Sequence, residues 1–260
     1  MEIIGLEGIP DVKPGDDVAA LIEGALRGLG LLLEDGDILV VSQKVVSKAE
    51  GQIVRAVDVR PSRLARQLSQ DIDKTPEHME VILRNTARIV RMDRRRGIFI
   101  MATPHGFVCA NAGVDRSNVG KEEVYTALPE DPDGTADAIR RRLEKSFSVR
   151  IAVVVSDTFG RPWRLGQTDV ALGISGMSPF RDYRGLVDPY GYELKSTMVA
   201  VVDEVAAAAE LVKGKLDGVP VTLVRGVVFE VAGGSSRDLV RRMEEDLFLQ
   251  PEERPGGSHS

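Results

Sequence analysis

The chain has 260 residues, 43% of them hydrophobic and 28% charged, with a net charge of −6. That is an ordinary soluble composition, long enough to bury a substantial core in one large domain or two small ones, and its acidic balance gives no footing for nucleic acid or an anionic membrane surface. No apolar run approaches the ~18 residues of a membrane helix, the N-terminus lacks a signal-peptide pattern, and a lone cysteine, Cys109, allows no internal disulfide, so a cytoplasmic protein is expected.

A strand is predicted over Glu2–Leu6, followed by turn signals at Gly8-Ile9-Pro10-Asp11 and Pro14-Gly15. Asp16 and Asp17 open a helical pattern that runs to Leu29. Ile38–Val41 reads as a second strand, ending in Ser42-Gln43-Lys44 and then Val45-Val46-Ser47-Lys48. A strand at Gly51–Val59 follows, then helices at Ser62–Lys74 and Pro76–Thr86, the second with proline at its first position. Arg88–Arg91 reads as a strand, and Arg91 with Arg94, Arg95 and Arg96 as a solvated basic turn. Gly97–Ala102 and Gly106–Ala110 look like paired strands around Thr103-Pro104-His105, and the stretch from Asn111 to Asn118 is a loop dense in turn formers and oxygen donors. Asp131–Gly134 is a linker into an amphipathic helix, Thr135–Phe147.

Arg150–Met177 is the stretch around which the rest is organised. Ile151–Val155 has no polar interruption, the pattern of a strand covered on both faces. It stops on Ser156, Asp157 and Thr158, and a cationic loop with Gly160, Arg161, Pro162, Trp163 and Arg164 follows. Thr168–Ile174 is a further strand, and Pro179–Tyr192 reads as an ordered functional loop or a chain–chain contact. Thr197–Lys213 is an Ala-rich helix, Val219–Val224 a strand, Ser236–Leu247 a Ser-capped terminal helix, and 251–260 a disordered tail. No G-x-G-x-x-G follows a strand and no G-x-x-x-x-G-K-[ST] occurs, so the expected class is α+β with mixed or antiparallel sheets and flanking helices, not a dinucleotide-binding or P-loop fold.

Three segments carry matched chemistry: Gln43 to Lys48, Asp115 to Asn118, and Asp157-Thr158. Two carboxylates, amides, hydroxyls and a lysine are the parts of a metal–nucleotide site, with oxygen ligands for a hard cation and a positive charge for a phosphate chain. The same residues also fit turn aspartates beside solvated arginines, and spacing leaves open whether the segments meet. Arg161 and Arg164 could hold phosphate or carboxylate oxygens. His105 reads as a hydrogen-bonded structural histidine, Cys109 as a buried small hydrophobe, His78 as exposed on its helix, and Trp163 as packing or substrate stacking. Asp182, Tyr183 and Arg184 fit either a substrate pocket or a dimer contact.

The segments GIPDVKPGDDV, DGDILVVSQKVVSKAEG, HGFVCANAGVDRSNV, VVVSDTFGRPWRLGQTDVALGISGM, DYRGLVDPYGYEL and DEVAAAAELVKGKLDGVPVTLVRG occur in that order, from about Gly5 to Gly226. Together they resemble the coenzyme F-420-0:L-glutamate ligase (γ-glutamyl ligase) family. The resemblance implies one ligase domain over residues 1–250, with an unusual α+β fold and an intertwined homodimer. It implies an enzyme that uses GTP to add L-glutamate to the lactyl carboxylate of coenzyme F-420-0, a deazaflavin precursor, and then γ-linked glutamates, giving GDP and phosphate. Two divalent cations, Mg²⁺ or Mn²⁺, and K⁺ belong to that reading. So do the residue roles: Gly8, Ile9, Pro10, Asp11, Gln43, Lys48, Asn118 and Lys215 at the nucleotide; Asp115, Asp157 and Thr158 on metal; and Asp115, Asp157 and Lys48 as catalytic residues. Two alternatives stand beside it, an amide ligase on another carboxylated acceptor and a nucleotide-binding regulator without turnover.

Overall fold

The computed structural model describes residues 1–119 and 122–246; the tail over 251–260 and Leu247, the end of the expected terminal helix, lie outside the described residues. In chain order the first elements are β1 (Glu2–Gly5), α1 (Val18–Gly28), β2 (Ile38–Ser42), α2 (Gln43–Ala49), β3 (Ile53–Arg55), α3 (Arg63–Leu68) and α4 (Pro76–Arg84). Next come β4 (Arg88–Asp93), β5 (Ile98–Ala102), β6 (Val108–Ala110), β7 (Asp115–Val119), β8 (Glu122–Thr126) and α5 (Pro132–Phe147). The chain continues through β9 (Ala152–Arg161), β10 (Arg164–Ser175), β11 (Arg181–Asp182), β12 (Met198–Val199), α6 (Val201–Lys213) and β13 (Val221–Arg225).

The principal sheet has the order β1-β13-β2-β9-β10. Only β2 and β9 run parallel; the other neighbours are antiparallel, so the sheet is mixed and the class is α+β, as expected. The apolar run in β9 shows why it lies at the centre. Side chains alternate across a strand. Val153 and Val155 therefore enter one core with Leu39, Val41 and Leu223, under α1 and α5, while Ala152 and Val154 enter another with Ile38, Val40 and Val224, under α6. Both faces are covered, and each buried valine or leucine contributes roughly 1.5–3 kcal/mol against leaving it in water.

The flanking helices follow from spacing and caps. Val18, Ile22, Ala25 and Leu26 form the buried stripe of α1, and the Asp17 side chain caps it by accepting from Ala20 N at 3.0 Å. The Asp131 side chain accepts from Gly134 N at 3.1 Å, so α5 begins at Pro132 and the expected linker is its first turn. A third core, around Met79, Ile82, Phe99, Met101 and Tyr125, joins α3 and α4 to the three-stranded sheets β3-β8-β7 and β4-β5-β6. No helix among the described residues is long and apolar enough to cross a membrane.

Several expectations are corrected. Gln43–Ala49 is a helix, because Val45, Val46 and Ser47 find burial there that a longer strand would deny them. Asp115–Val119 is a strand, since pairing with Glu122–Thr126 supplies its backbone partners; the turn chemistry is confined to Asn111–Gly113, with left-handed φ of 54°, 54° and 70°. β9 does not stop at Asp157 but runs to Arg161, paired along its length with β10, and the cationic segment is the tip of that hairpin. The Gly51–Val59 strand shrinks to β3 and a 3-10 turn, and the Ser62–Lys74 helix ends at Leu68 before Asp71, whose φ is 62°. The terminal helix is replaced by 3-10 turns at Ser236–Leu239 and Met243–Glu245, the first closed by a capping box between Ser235 and Asp238. His78 is 5% exposed, not on the surface, with its ring stacked on Tyr125 at 4.9 Å.

Candidate nucleotide and metal site

A cleft of about 410 Å³ opens where β1 and β2 release the chain and α6 ends, beside the middle of β9. It is lined by the turn Ile9-Pro10-Asp11, by Ser42, Lys44 and Lys48 around α2, by Asp157 and Thr158 on β9, and by Lys213 and Lys215 after α6. Helix α2 turns Lys44 and Lys48, one turn apart, toward the same side. Lys48 Nζ donates to Asp11 Oδ1 at 2.6 Å, tying α2 to the first turn through two exposed side chains. Gly8 stands just before that turn with φ of +82°, a conformation that favours glycine.

The carboxylates come from different depths. Asp115 opens β7 and pairs with Lys44 Nζ at 3.1 Å. Asp157 lies close enough that burial first, and then the charges of Asp115 and Asp169, push its carboxyl up to about 7. A carboxyl held that high in part by like charges is one that a cation would stabilise. Asp115, Asp157 and Thr158 thus offer two carboxylates and a hydroxyl. Among the described residues no group of three or more His, Cys, Asp or Glu side chains forms a complete metal cage. The donor set fits Mg²⁺ or Mn²⁺ of the kind that takes one or two carboxylates and completes its shell with water and phosphate oxygens.

The residues named from sequence fall into three groups. Ile9, Pro10, Asp11, Lys48, Asp157, Thr158 and Lys215 line the cleft together, and Asp115 reaches it through Lys44. Asn118 takes its place on β7 opposite Glu123. Gln43 is fully buried, and its Oε1 accepts from Ser47 Oγ at 2.8 Å, so its side chain stays inside the core while Ser42 and Lys44 flank the cleft. Arg161 and Arg164 sit at the hairpin tip outside the cleft lining; Arg161 donates to Leu165 O at 2.8 Å. Trp163 is 84% exposed there, so core packing is not its role in this chain alone. His105 matches its structural reading through a contact of 3.0 Å with Glu130 O, and Cys109 is buried, its thiol pushed up to about 12 by burial and then by Asp157.

Sequence reasoning missed a buried network beneath the cleft. Asp169 on β10 pairs in register with Thr158. Its Oδ1 accepts from Thr158 Oγ1 at 2.6 Å, and its Oδ2 accepts from Ser156 Oγ at 3.0 Å and Lys213 Nζ at 2.7 Å. Burial would raise the Asp169 carboxyl, but Lys213 and the two hydroxyls outweigh it and hold it below the usual range. Lys215 Nζ in turn donates to Thr158 Oγ1 and lies 3.2 Å from Glu210 Oε1. The available signal was the polar break at Thr168-Asp169 in an otherwise apolar strand; read alone, it looked like a strand start.

The F420-0:Gamma-glutamyl ligase family model matches residues 8–226. Over 251 residues the chain is 44% identical to "Coenzyme F420:L-glutamate ligase" of Methanothermobacter thermautotrophicus, covering 95% of this chain and 98% of that protein. A protein of the same description from Methanocaldococcus jannaschii is 40% identical over 95% of this chain and 96% of its own length, and one from Methanococcus maripaludis is 38% identical over 95% and 97%. With matched segments that span the cleft and the strands that build it, the chain belongs to the F420-0:gamma-glutamyl ligase family.

Proposed function

We propose that this chain is a GTP-dependent ligase that adds L-glutamate to the lactyl carboxylate of coenzyme F-420-0, then γ-linked glutamates, through an acyl phosphate, releasing GDP and phosphate. The observation that carries the reading is one cleft in which cations for a phosphate chain, Lys48 and Lys215, face the oxygens of Asp157 and Thr158. The names of the relatives supply the acceptor and the amino acid.

The chemistry needs those parts. A carboxylate does not yield to an amine until one of its oxygens becomes a leaving group. Transfer of the terminal phosphoryl group onto that oxygen provides one; the glutamate nitrogen then bonds to the carbonyl carbon, the carbon–oxygen bond breaks, phosphate departs and the amine proton passes to solvent or phosphate. Asp115, Asp157 and Thr158 would hold the two divalent cations, Mg²⁺ or Mn²⁺, whose charge, with K⁺ in support, would offset that of the phosphates. Lys48, oriented by Asp11, holds the phosphate chain beside Lys215. The turn from Gly8 to Asp11 and Asn118 on β7 frame the nucleotide, with Ser42 in the place expected of the buried Gln43. Asp169 Oδ1 accepts the Thr158 hydroxyl hydrogen bond, which turns the Oγ1 lone pairs toward Lys215. Catalysis on this account is positioning and electrostatics, as phosphoryl transfer requires.

The same reading gives an intertwined homodimer in the cytoplasm. Leu165 is 99%, Tyr190 95% and Trp163 84% exposed, on the hairpin tip and the following arm, where a second copy would cover them. A lone buried cysteine suits a reducing compartment.

The test supplies purified protein with coenzyme F-420-0, GTP, Mn²⁺ and L-glutamate. The expected result is acceptor mass rising in glutamyl steps with matching GDP. No glutamyl product on this acceptor overturns the proposal; GTP bound without any GDP points to the regulator, and product on a different carboxylated acceptor to the sister ligase.

A further inference from the structure

A second cavity, about 500 Å³, lies along the β9–β10 hairpin apart from the cleft, and nothing in the account above uses it. Its walls are mostly apolar: Phe107 and Val108 from β6 and the residue before it, Phe159 on β9, Val170 and Leu172 on β10, and Val240 after the first 3-10 turn. Exposed Arg88 and Arg241 also line it, as do Asp246 and Asp203, the latter with its carboxylate already occupied by Ala171 N at 2.9 Å. A volume within the 300–1,000 Å³ range, apolar and aromatic walls and a few polar groups are the usual make-up of a small-molecule pocket.

Register connects this cavity to the reacting end of the cleft. Asp157 and Phe159 are two residues apart on one strand, so they share a face and stand about 7 Å apart. Val170 is the cross-strand partner of Asp157 and shares that face, whereas Thr158 and its partner Asp169 face α6. The two linings share no residue, and Asp157 of the cleft stands one step along the strand face from Phe159 of the cavity.

A reaction joining three substrates needs the acceptor to approach the transferred group from a direction the nucleotide does not occupy. We infer that the cavity seats the flat ring system of the acceptor between Phe107 and Phe159, with its negative charge toward Arg88 and Arg241 and its carboxylate reaching toward Lys44 beside Asp157; this rests on the ligase reading. Aromatic walls favour a planar ring through offset or edge contacts, and guanidinium groups favour an anionic linker.

Two variants test it. Phe159→Ala removes an aromatic wall; Val108→Trp, at a position 45% exposed, fills the mouth without disturbing the core. The expected result is an acceptor KM raised by about 10-fold or more in each, with the KM for GTP within about twofold of wild type. Equilibrium dialysis of coenzyme F-420-0 against the protein without GTP, read by ring absorbance, should show the same loss in Kd. Acceptor KM and Kd within about twofold of wild type in both variants overturn the inference, as does a Val108→Trp protein whose only change is its oligomeric mass. If wild type makes no product, the ligase reading fails, and the dialysis alone decides the cavity: binding lost in Phe159→Ala supports it, and no binding by wild type overturns it.

Discussion

Asp157 and Asp169 lie on neighbouring strands of one hairpin and line the same cleft, yet their carboxyls are driven in opposite directions. Both lose water to burial. Asp169 recovers more than that loss from Lys213 at 2.7 Å and from two hydroxyls, and stays ionised. Asp157 has burial and the charge of Asp115 against it, with only a smaller offset from Lys44, and rises to about 7. The difference teaches which carboxylate is finished and which is waiting. A buried charge with its own lysine anchors structure; a buried charge set beside another carboxylate is suited to an incoming cation. Register makes the division: one residue along a strand turns a side chain to the opposite face.

The largest effect should come from breaking the unfinished member. Asp157→Asn is expected to lower turnover at least about 100-fold, the cost of losing several kcal/mol of charge stabilisation, while the folded protein is no less stable because repulsion from Asp115 is relieved. Turnover by mass addition and a denaturant midpoint measured together check both halves; full activity would remove Asp157 from the site.

Breaking the finished member should act on stability first. Asp169→Ala leaves the Lys213 charge buried without its partner, at an expected cost of about 3–5 kcal/mol in denaturant unfolding. Adding Lys213→Met removes the stranded charge and should restore most of that loss without restoring activity, because Thr158 still lacks its proton acceptor. A double variant no more stable than the single would show that the pair is not the source of the cost.

A third buried group sharpens the rule, since it has no opposite charge. Neither ring nitrogen of His78 has a hydrogen-bond partner among the described residues. Burial, and then Lys74 and Arg116, lower its pKa to about 4. The unfolded chain binds the proton more readily, so the contribution of neutral His78 is complete above about pH 6.5 and fades as pH falls toward 4. His78→Phe should flatten the stability–pH curve in that window by on the order of 2–3 kcal/mol, read from denaturant midpoints at several pH values. An unchanged slope would assign the acid loss to other groups.

Much of this was legible in the chain itself. The β9 run Ile151–Val155 announced a strand buried on both faces, and it is one, because an unbroken apolar stretch has no exposed face to occupy. Asp17 ahead of Val18 and Pro76 after Thr75 marked helix starts through local chemistry alone. Asp115, Asp157, Thr158 and Lys48 were named from motif residues, and the fold gathers them around one cleft. Gln43 was named with them, yet its side chain turned inward because α2 forms where a strand end was expected. Asp169 was passed over because nothing local separates a strand-opening aspartate from one that grips a lysine 44 residues away.

The sequence by itself determined the class of fold, the central strand, the helix caps and the identity of the oxygen and lysine donors, since each depends on periodicity or on neighbours within a few residues. Only the tertiary structure decided which of those donors share a face, which are neutralised by a distant partner and which cavity opens beside them. Charges and cavities are properties of segments brought together by folding, and a carboxylate's behaviour follows from what stands within a few ångströms of it in space, whatever lies beside it in the chain.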